Sequence, residues 1–316
     1  MSNVTPLPSA PTTSERPNLT WLWMGSAVLA HTGWGAYPVL ARYLQTVSML
    51  PSMAILALGN LIALLVFLPF IWGRITPTFL RSHVIWAFAL VVVLRAITNV
   101  LAARFTLAIY VQLITLMTPL IVALLSFGLF RERLPRFIWP AIGLSLFGSL
   151  LMMSGEIGGH GVSLALAGGD LLGIGLALVS ALSLSAYMIL VPRTVKDAVS
   201  GEAVLLVQLV ALTATTGVIS LIIGEDWGRF AVIGTNDWMA FLGFVIFVLL
   251  GANLTQISAL RHLGAPLVSS TMAWRLVATM ILAALLLGER LSSLWQIVGA
   301  AIVLLTITAY LRMQRR

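Results

Sequence analysis

Long apolar runs, cut by short polar or turn-forming breaks, fill the chain from residue 21 to residue 312. A hydrocarbon core about 30 Å thick takes about 20 apolar residues of helix to cross. Measured with that ruler, the runs at residues 21–42, 50–72, 83–103, 106–129, 136–154, 170–191, 203–223, 238–260, 265–287 and 292–312 predict ten spanning helices. Turn or charge signals mark the breaks at Pro51 and at residues 74–77, 131–135, 155–161, 192–201, 224–237 and 288–292. After the third and eighth runs the only markers are Arg104 and Arg261 with their neighbours. Residues 1–20 are rich in Pro, Ser and Thr and contain no apolar run, so they are expected to form a disordered cytoplasmic tail. They lack the basic start and apolar stretch of a secretory leader. Trp21 and Trp23, which follow, suit the headgroup boundary.

Composition agrees with this ladder. Hydrophobic residues make up 60% of the chain, charged residues only 9%, and the mean hydropathy is +1.04. A soluble domain is nearer half apolar and a quarter charged, so lipid must solvate much of this surface. The net charge of +8 comes from cations spread singly or in small groups between apolar runs. That spread forms no basic footprint, and nucleic acid is not expected as a partner. With no Cys, disulfides and thiolate metal sites are excluded.

Lys and Arg give the expected orientation. With the N-terminus inside, twelve lie in cytoplasmic segments: Arg16, Arg74, Arg81, Arg131, Arg133, Arg136, Arg193, Lys196, Arg261, Arg312, Arg315 and Arg316. Four lie outside: Arg42, Arg104, Arg229 and Arg290. Both termini are therefore expected in the cytoplasm. Arg95 and Arg275 fall inside spans.

The halves also match each other. At a shift of 157, Arg104 meets Arg261, Ala108 meets Ala265, Val111 meets Val268, and Glu132-Arg133-Leu134 meets Glu289-Arg290-Leu291. At a shift of 150, Ala36-Tyr37 meets Ala186-Tyr187. A triplet shared at one offset between spans indicates duplication rather than mere clustering of charges in loops. The expected organisation is a tail (1–20), a first five-helix repeat (21–155), a linker (156–169), a second repeat (170–312) and a basic C-terminal tail (313–316). An odd span count per repeat inverts the second half, giving an all-α, polytopic membrane protein of two inverted five-helix repeats. Such pairs build secondary transporters, with a site near the midplane.

Trp34-Gly35, Pro119, residues 128–134 and Leu287-Gly288-Glu289-Arg290-Leu291 carry a resemblance to the EamA branch of the drug/metabolite transporter superfamily, over about residues 21–311. Two departures stand out: Phe130-Arg131-Glu132 lacks the Gly that precedes Glu289, and Leu276 stands where Pro119 is in the first half. The resemblance implies a transporter of small metabolites, more often an exporter than an importer, in the bacterial inner membrane. It implies no cofactor.

Ionisable groups at bilayer depth cost about 2.5–3.5 kcal/mol on insertion scales and belong inside a bundle. Arg275 lies mid-span with Thr271 and Thr279 one turn either side, and Arg95 lies mid-span with Thr98 and Asn99 nearby. No span has an acidic residue in its middle third. Two unpaired guanidiniums call for an anion, and their bidentate fork suits carboxylate or phosphate. The competing reading binds each Arg to backbone carbonyls. Trp34, Tyr37 and Pro38 in the first span, Ser180, Ser183 and Tyr187 in the sixth, and Tyr110, Gln112 and Thr115 in the fourth are further cavity candidates. So are Asn253, Gln256 and Trp274. Asn60, Gln208 and the stripe Ala177, Ala181 and Ser185 read as helix packing. His31 is the candidate for proton coupling, against a plain packing role or exchange with a counter-anion.

No nucleotide-binding glycine loop, no acidic cluster for Mg²⁺ and no protease pairing occurs in or near a span. An enzyme is therefore not expected. The expected partners are a small anionic substrate and membrane lipid. A flippase for a lipid-linked phosphate is the alternative on the same fold, with the two Arg residues on the headgroup.

Overall fold

The computed structural model describes residues 20–71, 81–130, 137–153, 170–196, 199–269, 271–289 and 293–314. The tail 1–19, the linker 156–169, Glu132-Arg133-Leu134, Arg290, Leu291 and the last two arginines lie outside the described residues. Within them the regular structure is all helical, without a strand. Lipid offers the backbone no hydrogen bonds, so an apolar run must satisfy its own peptide groups, and a helix does this within one segment.

The helices are α1 (Thr20–Thr46), α2 (Ser52–Ile71), α3 (His83–Phe105), α4 (Ala108–Thr115), α5 (Thr118–Phe130) and α6 (Ile138–Met153). In the second half follow α7 (Asp170–Lys196), α8 (Gly201–Ile222), the short α9 (Arg229–Val232), α10 (Thr235–Gly243), α11 (Asn253–Ser269), α12 (Ala273–Leu286) and α13 (Leu294–Gln314). A π-helical segment, Phe244–Ala252, joins α10 to α11. Among the described residues, six helical stretches are long and apolar enough to cross a membrane: Ser52–Ile71, His83–Phe105, Ala108–Gly128, Asp170–Val191, Gly201–Ile222 and Thr235–Leu263. Ile138–Leu151, Ala273–Leu286 and Leu294–Tyr310 are shorter apolar helices.

Two expected helices differ from the sequence reading. The run at 106–129 is broken between α4 and α5. Pro119 has no N–H to give the Thr115 carbonyl, and the Thr118 hydroxyl donates to that oxygen instead. Three-residue bonds such as Met117 N–H to Ile114 O (3.0 Å) carry the chain through the break. The run at 265–287 is also divided. Helix α11 continues to Ser269, and a tight turn in which the Thr271 backbone and hydroxyl both bond the Val268 carbonyl precedes α12.

Helix partners exchange when the halves are exchanged. α3 packs on α7, as α1 packs on α11 and the π segment. α5 packs on α7, as α12 packs on α1. α2 lies against α8 and α6 against α13, each pairing equivalent helices. The two halves are therefore related by an approximate two-fold.

At the centre, α1 approaches its neighbours closely through glycine. A Cβ on Gly35 would sit 2.6 Å from the Arg275 carbonyl oxygen, and one on Gly33 would sit 2.7 Å from the Ala252 Cβ. At one end of the bundle polar bonds tie the helices together. Arg42 Nε pairs with Glu289 Oε1 at 2.9 Å, and its Nη1 donates to the Thr106 carbonyl at 2.6 Å. Glu225 accepts from the Met53 and Ala54 amides, satisfying orphan donors at the start of α2. Asp237 accepts from Ser48 (2.6 Å) and Tyr43 (3.2 Å), and Arg104 donates to Ser52. At the opposite end Trp23 stacks on His262 with ring centroids 3.8 Å apart, and Arg261 donates to the Val199 carbonyl.

Two predictions follow from this packing. Gly35→Ala should destabilise the protein by about 1–3 kcal/mol, because the new methyl meets backbone that cannot move aside. Gly175→Ala on α7, with nothing within 4 Å, should instead be neutral or stabilising by up to about 1 kcal/mol. Unfolding by SDS in mixed micelles reads both, and equal effects would contradict the close approach. Burial pushes the Glu289 carboxyl above the ordinary glutamate range, against the pull of Arg42. The folded state then holds that proton more tightly than the unfolded chain, so this contribution is complete below about pH 4.3 and fades as pH rises through the folded value. Wild type should therefore lose more stability than Glu289→Gln on going from about pH 4.5 to pH 7. A steeper loss in the variant would contradict it.

Candidate functional site

Helices α1, α3, α4, α7 and α12 converge on Trp34. The Arg95 guanidinium carbon lies 4.2 Å from the Trp34 ring centroid and 5.1 Å from that of Tyr187, while Arg275 lies 5.8 Å from the same indole. Arg95 is 4% exposed and Arg275 1%. Neither has a carboxylate partner among the described residues; the ion pairs there are Arg42–Glu289 and Arg229–Asp226.

Their supports differ. Arg275 Nε donates to His31 Nδ1 at 2.7 Å, and Nη2 donates to Gln256 Oε1 at 3.2 Å. His31 Nε2 in turn donates to the Val268 carbonyl at 2.9 Å. Only a neutral imidazole protonated on Nε2 fits both contacts. Arg95 makes no hydrogen bond through its side chain among the described residues and is held by aromatic faces. A desolvated cation–π contact contributes about 2 kcal/mol. Burying an ion costs several kcal/mol, so the rings offset only part of it.

Two adjoining cavities open beside these cations. One, of about 20 Å³, is lined by Trp34, Tyr37, Asn60, Arg95, Asn99, Gln208 and Asn253 with apolar neighbours. The other, of about 10 Å³, is lined by Trp34, Pro38, Arg95, Asn99, Gln112, Thr115, Ser180 and Arg275 with apolar neighbours. Trp34, Arg95 and Asn99 belong to both. The break between α4 and α5 lies just beyond Gln112 and Thr115, and the π segment delivers Asn253 to the first cavity and Gln256 to Arg275.

Buried polar groups without partners gather here. Trp34 Nε1, Tyr37 OH, Asn60 Oδ1, Asn99 Oδ1, Gln112 Nε2 and Gln208 Oε1 all belong to lining residues and have no hydrogen bond; Tyr187 OH and Gln256 Nε2 stand next to the two guanidiniums in the same condition. An orphaned buried polar atom costs about 1–3 kcal/mol, so a cluster of them points to a ligand that completes the bonds. Two amides have a set orientation. Asn60 Nδ2 donates to the Leu56 carbonyl, and Gln208 Nε2 donates to Asn253 Oδ1, whose own Nδ2 donates to Leu249. Asn60 Oδ1 and Gln208 Oε1 are thereby left as acceptors. The first cavity sets these acceptors beside the Arg95 guanidinium that both cavities share, and the second adds the Arg275 guanidinium and Gln112.

Of the residues expected at the site, Arg95, Arg275, Trp34, Tyr37, Asn99, Gln112 and Asn253 line these cavities, and Tyr187 covers Arg95. His31 tethers Arg275. Thr279 is spent on packing, its hydroxyl bonding the Gly35 and Arg275 carbonyls. Tyr110 sits in a separate small cluster with Ala102, Val111, Ile114, Ala177 and Ala181. Thr271 and Trp274 face an outer groove with Val28, Leu304 and Thr308; Trp274 is 44% exposed and donates to the Thr32 hydroxyl. The i, i+4 spacing put Thr271 on the Arg275 face, but the turn before α12 removes it from that helix. Asn60 and Gln208, read from sequence as packing residues, line the first cavity. An amide at mid-span was the available signal, and helix packing explains one equally well from sequence alone.

Comparison with known proteins adds three findings. The model of the EamA-like transporter family matches the chain twice, over residues 21–154 and 171–312. A solved crystal structure shares the fold, with a TM-score of 0.65 at 19% identity over 94% of this chain and 98% of the other. Curated protein sequences gave no match.

If the orphaned acceptors serve a ligand and not the fold, Asn60→Leu should leave stability unchanged or raise it by about 1 kcal/mol, since it removes an unsatisfied buried oxygen. Loss of more than about 1 kcal/mol in SDS unfolding would return Asn60 to a packing role.

Proposed function

As the chain belongs to the EamA-like transporter family, of the drug/metabolite transporter superfamily, we propose that it moves a small metabolite bearing a carboxylate or phosphate across the membrane by alternating access. The observation that carries this reading is the pair of buried guanidiniums, Arg95 and Arg275, beside the cavities without a carboxylate partner among the described residues. An anion entering between them offsets part of that charge and accepts their bidentate donors.

An amino acid is the leading class. Its carboxylate suits the donor-lined cavity, and its ammonium suits the acceptors Asn60 Oδ1 and Gln208 Oε1 next door. Trp34 spans both, giving the apolar wall on which such a ligand rests. The reading takes the halves as five crossings each, ten in all, inverted with respect to one another in the bacterial inner membrane, both termini in the cytoplasm. Alternation then makes and breaks the Arg42–Glu289, Glu225 and Asp237 contacts at the end assigned outside. Export is favoured, as the family resemblance implies. Coupling to a proton or a counter-anion supplies the driving force.

Arg95→Ala and Arg275→Ala should each reduce counterflow of a carboxylate-bearing amino acid in proteoliposomes at least about 100-fold, the effect of losing about 3 kcal/mol of binding to a buried charge. Both should remain folded by circular dichroism. Transport at the wild-type rate by either variant would overturn the anion reading.

A further inference from the structure

His31 has a place in the site that anion binding alone does not use. Its Nδ1 lone pair is the acceptor for Arg275 Nε at 2.7 Å, and its Nε2–H is fixed on the Val268 carbonyl at 2.9 Å. The imidazole is fully buried on α1. We propose that His31 is the proton site of the carrier, and that a proton on Nδ1 and the tether to Arg275 exclude each other. This rests on the anion reading of the cavity.

The step balances without any other group. A proton bonds to the Nδ1 lone pair, the Arg275 Nε–H···Nδ1 bond breaks, and the guanidinium keeps its own protons. The ring becomes imidazolium, still donating from Nε2 to Val268. Two cations then face each other in a dry site, and Arg275 is driven off the ring into the cavity it already lines. An anion bound there relieves the repulsion. Proton and anion therefore bind together: each raises the affinity for the other, as linkage requires. In reverse, an anion that draws Arg275 away frees the Nδ1 lone pair to take a proton.

The surroundings leave this exchange to one pair. From α12 the ring meets Arg275; from α11 it meets the Val268 carbonyl, while the neutral Gln256 of the same helix holds the Arg275 guanidinium. The π segment Phe244–Ala252, which also packs on α1, contains apolar residues only. From α3 comes Arg95, beyond the shared indole of Trp34, and the phenols of Tyr37 and Tyr187 lie near Arg95. From α4 the nearest polar side chain at the cavity is Gln112. Among the described residues no carboxylate is paired with either guanidinium to take the proton instead. Gln256 holds Arg275 by a second bond, so release swings the guanidinium on that anchor.

The test is the pH dependence of binding to the purified full chain in nanodiscs. Sulfate and L-glutamate are the probes, because their charges are constant between about pH 5.5 and 8. Linkage to one proton allows up to about tenfold in affinity per pH unit. Wild type should bind at least tenfold more tightly at the lower pH. His31→Gln offers an amide oxygen to Arg275 but does not titrate, so its affinity should vary less than threefold over the range. A flat wild-type profile, or the full slope retained in His31→Gln, overturns the proposal while leaving the anion site intact. Nitrogen-15 spectra of histidine-labelled protein test the pair with no ligand at all. Arg275→Met should let the His31 ring take its second proton at a pH at least one unit higher than in wild type. Identical titration in the two proteins overturns the proposal even if neither probe binds, whereas absence of binding at every pH counts against the anion reading alone.

Discussion

A charge inside a membrane protein must be answered by something, and here two guanidiniums are answered only in part. Trp34 faces both, Tyr187 covers Arg95, and His31 with Gln256 fixes Arg275. These contacts set the demands on the scaffold. α1 must come close enough to α12 and the π segment for one indole to reach both cations, which is why Gly33 and Gly35 lie against backbone and methyl groups with no room for a side chain. The chain must also break beyond α4, so that Gln112 and Thr115 end up on the cavity wall.

The same centre gives up stability for chemistry. Buried amides in a finished core hold partners on both ends, yet Asn60 and Gln208 each use the nitrogen and leave the oxygen bare. The bonds that are made decide which atom faces the cavity, so the wall presents a defined polarity and not a freely rotating amide. Amide acceptors and cationic donors at fixed places on the wall select a ligand by its charge distribution as well as its size.

The fold was legible early because hydropathy and the duplicated triplet act over long stretches of chain. Helix ends were less so. The break between α4 and α5 hangs on Pro119 and on a Thr118 hydroxyl that substitutes for its missing N–H, and hydropathy is blind to such local bonding. The cations and Trp34 stood out because charge and large aromatics are conspicuous in an apolar run. Asn60 and Gln208 did not, since the role of an amide depends on what lies across from it. Thr271 was placed by helical spacing, and that spacing stopped applying where the turn before α12 begins. Tethering of Arg275 by His31 joins residues 244 positions apart, a distance that periodicity cannot cross.

The approximate two-fold has one further consequence. Tyr37 faces Tyr187 across the duplication, and Gln256 stands 157 positions after Asn99. The groups that define the centre have no such counterpart. Arg95 is matched by Ala252, Arg275 by Thr118, His31 by Ala181 and Trp34 by Leu184. Were the halves chemically alike, tipping the bundle one way or the other would produce mirror states of equal energy. Unlike residues at the pivot lift that degeneracy. If the carrier alternates as proposed, the empty protein has a preferred side at rest, and these four unlike positions at the pivot contribute to it.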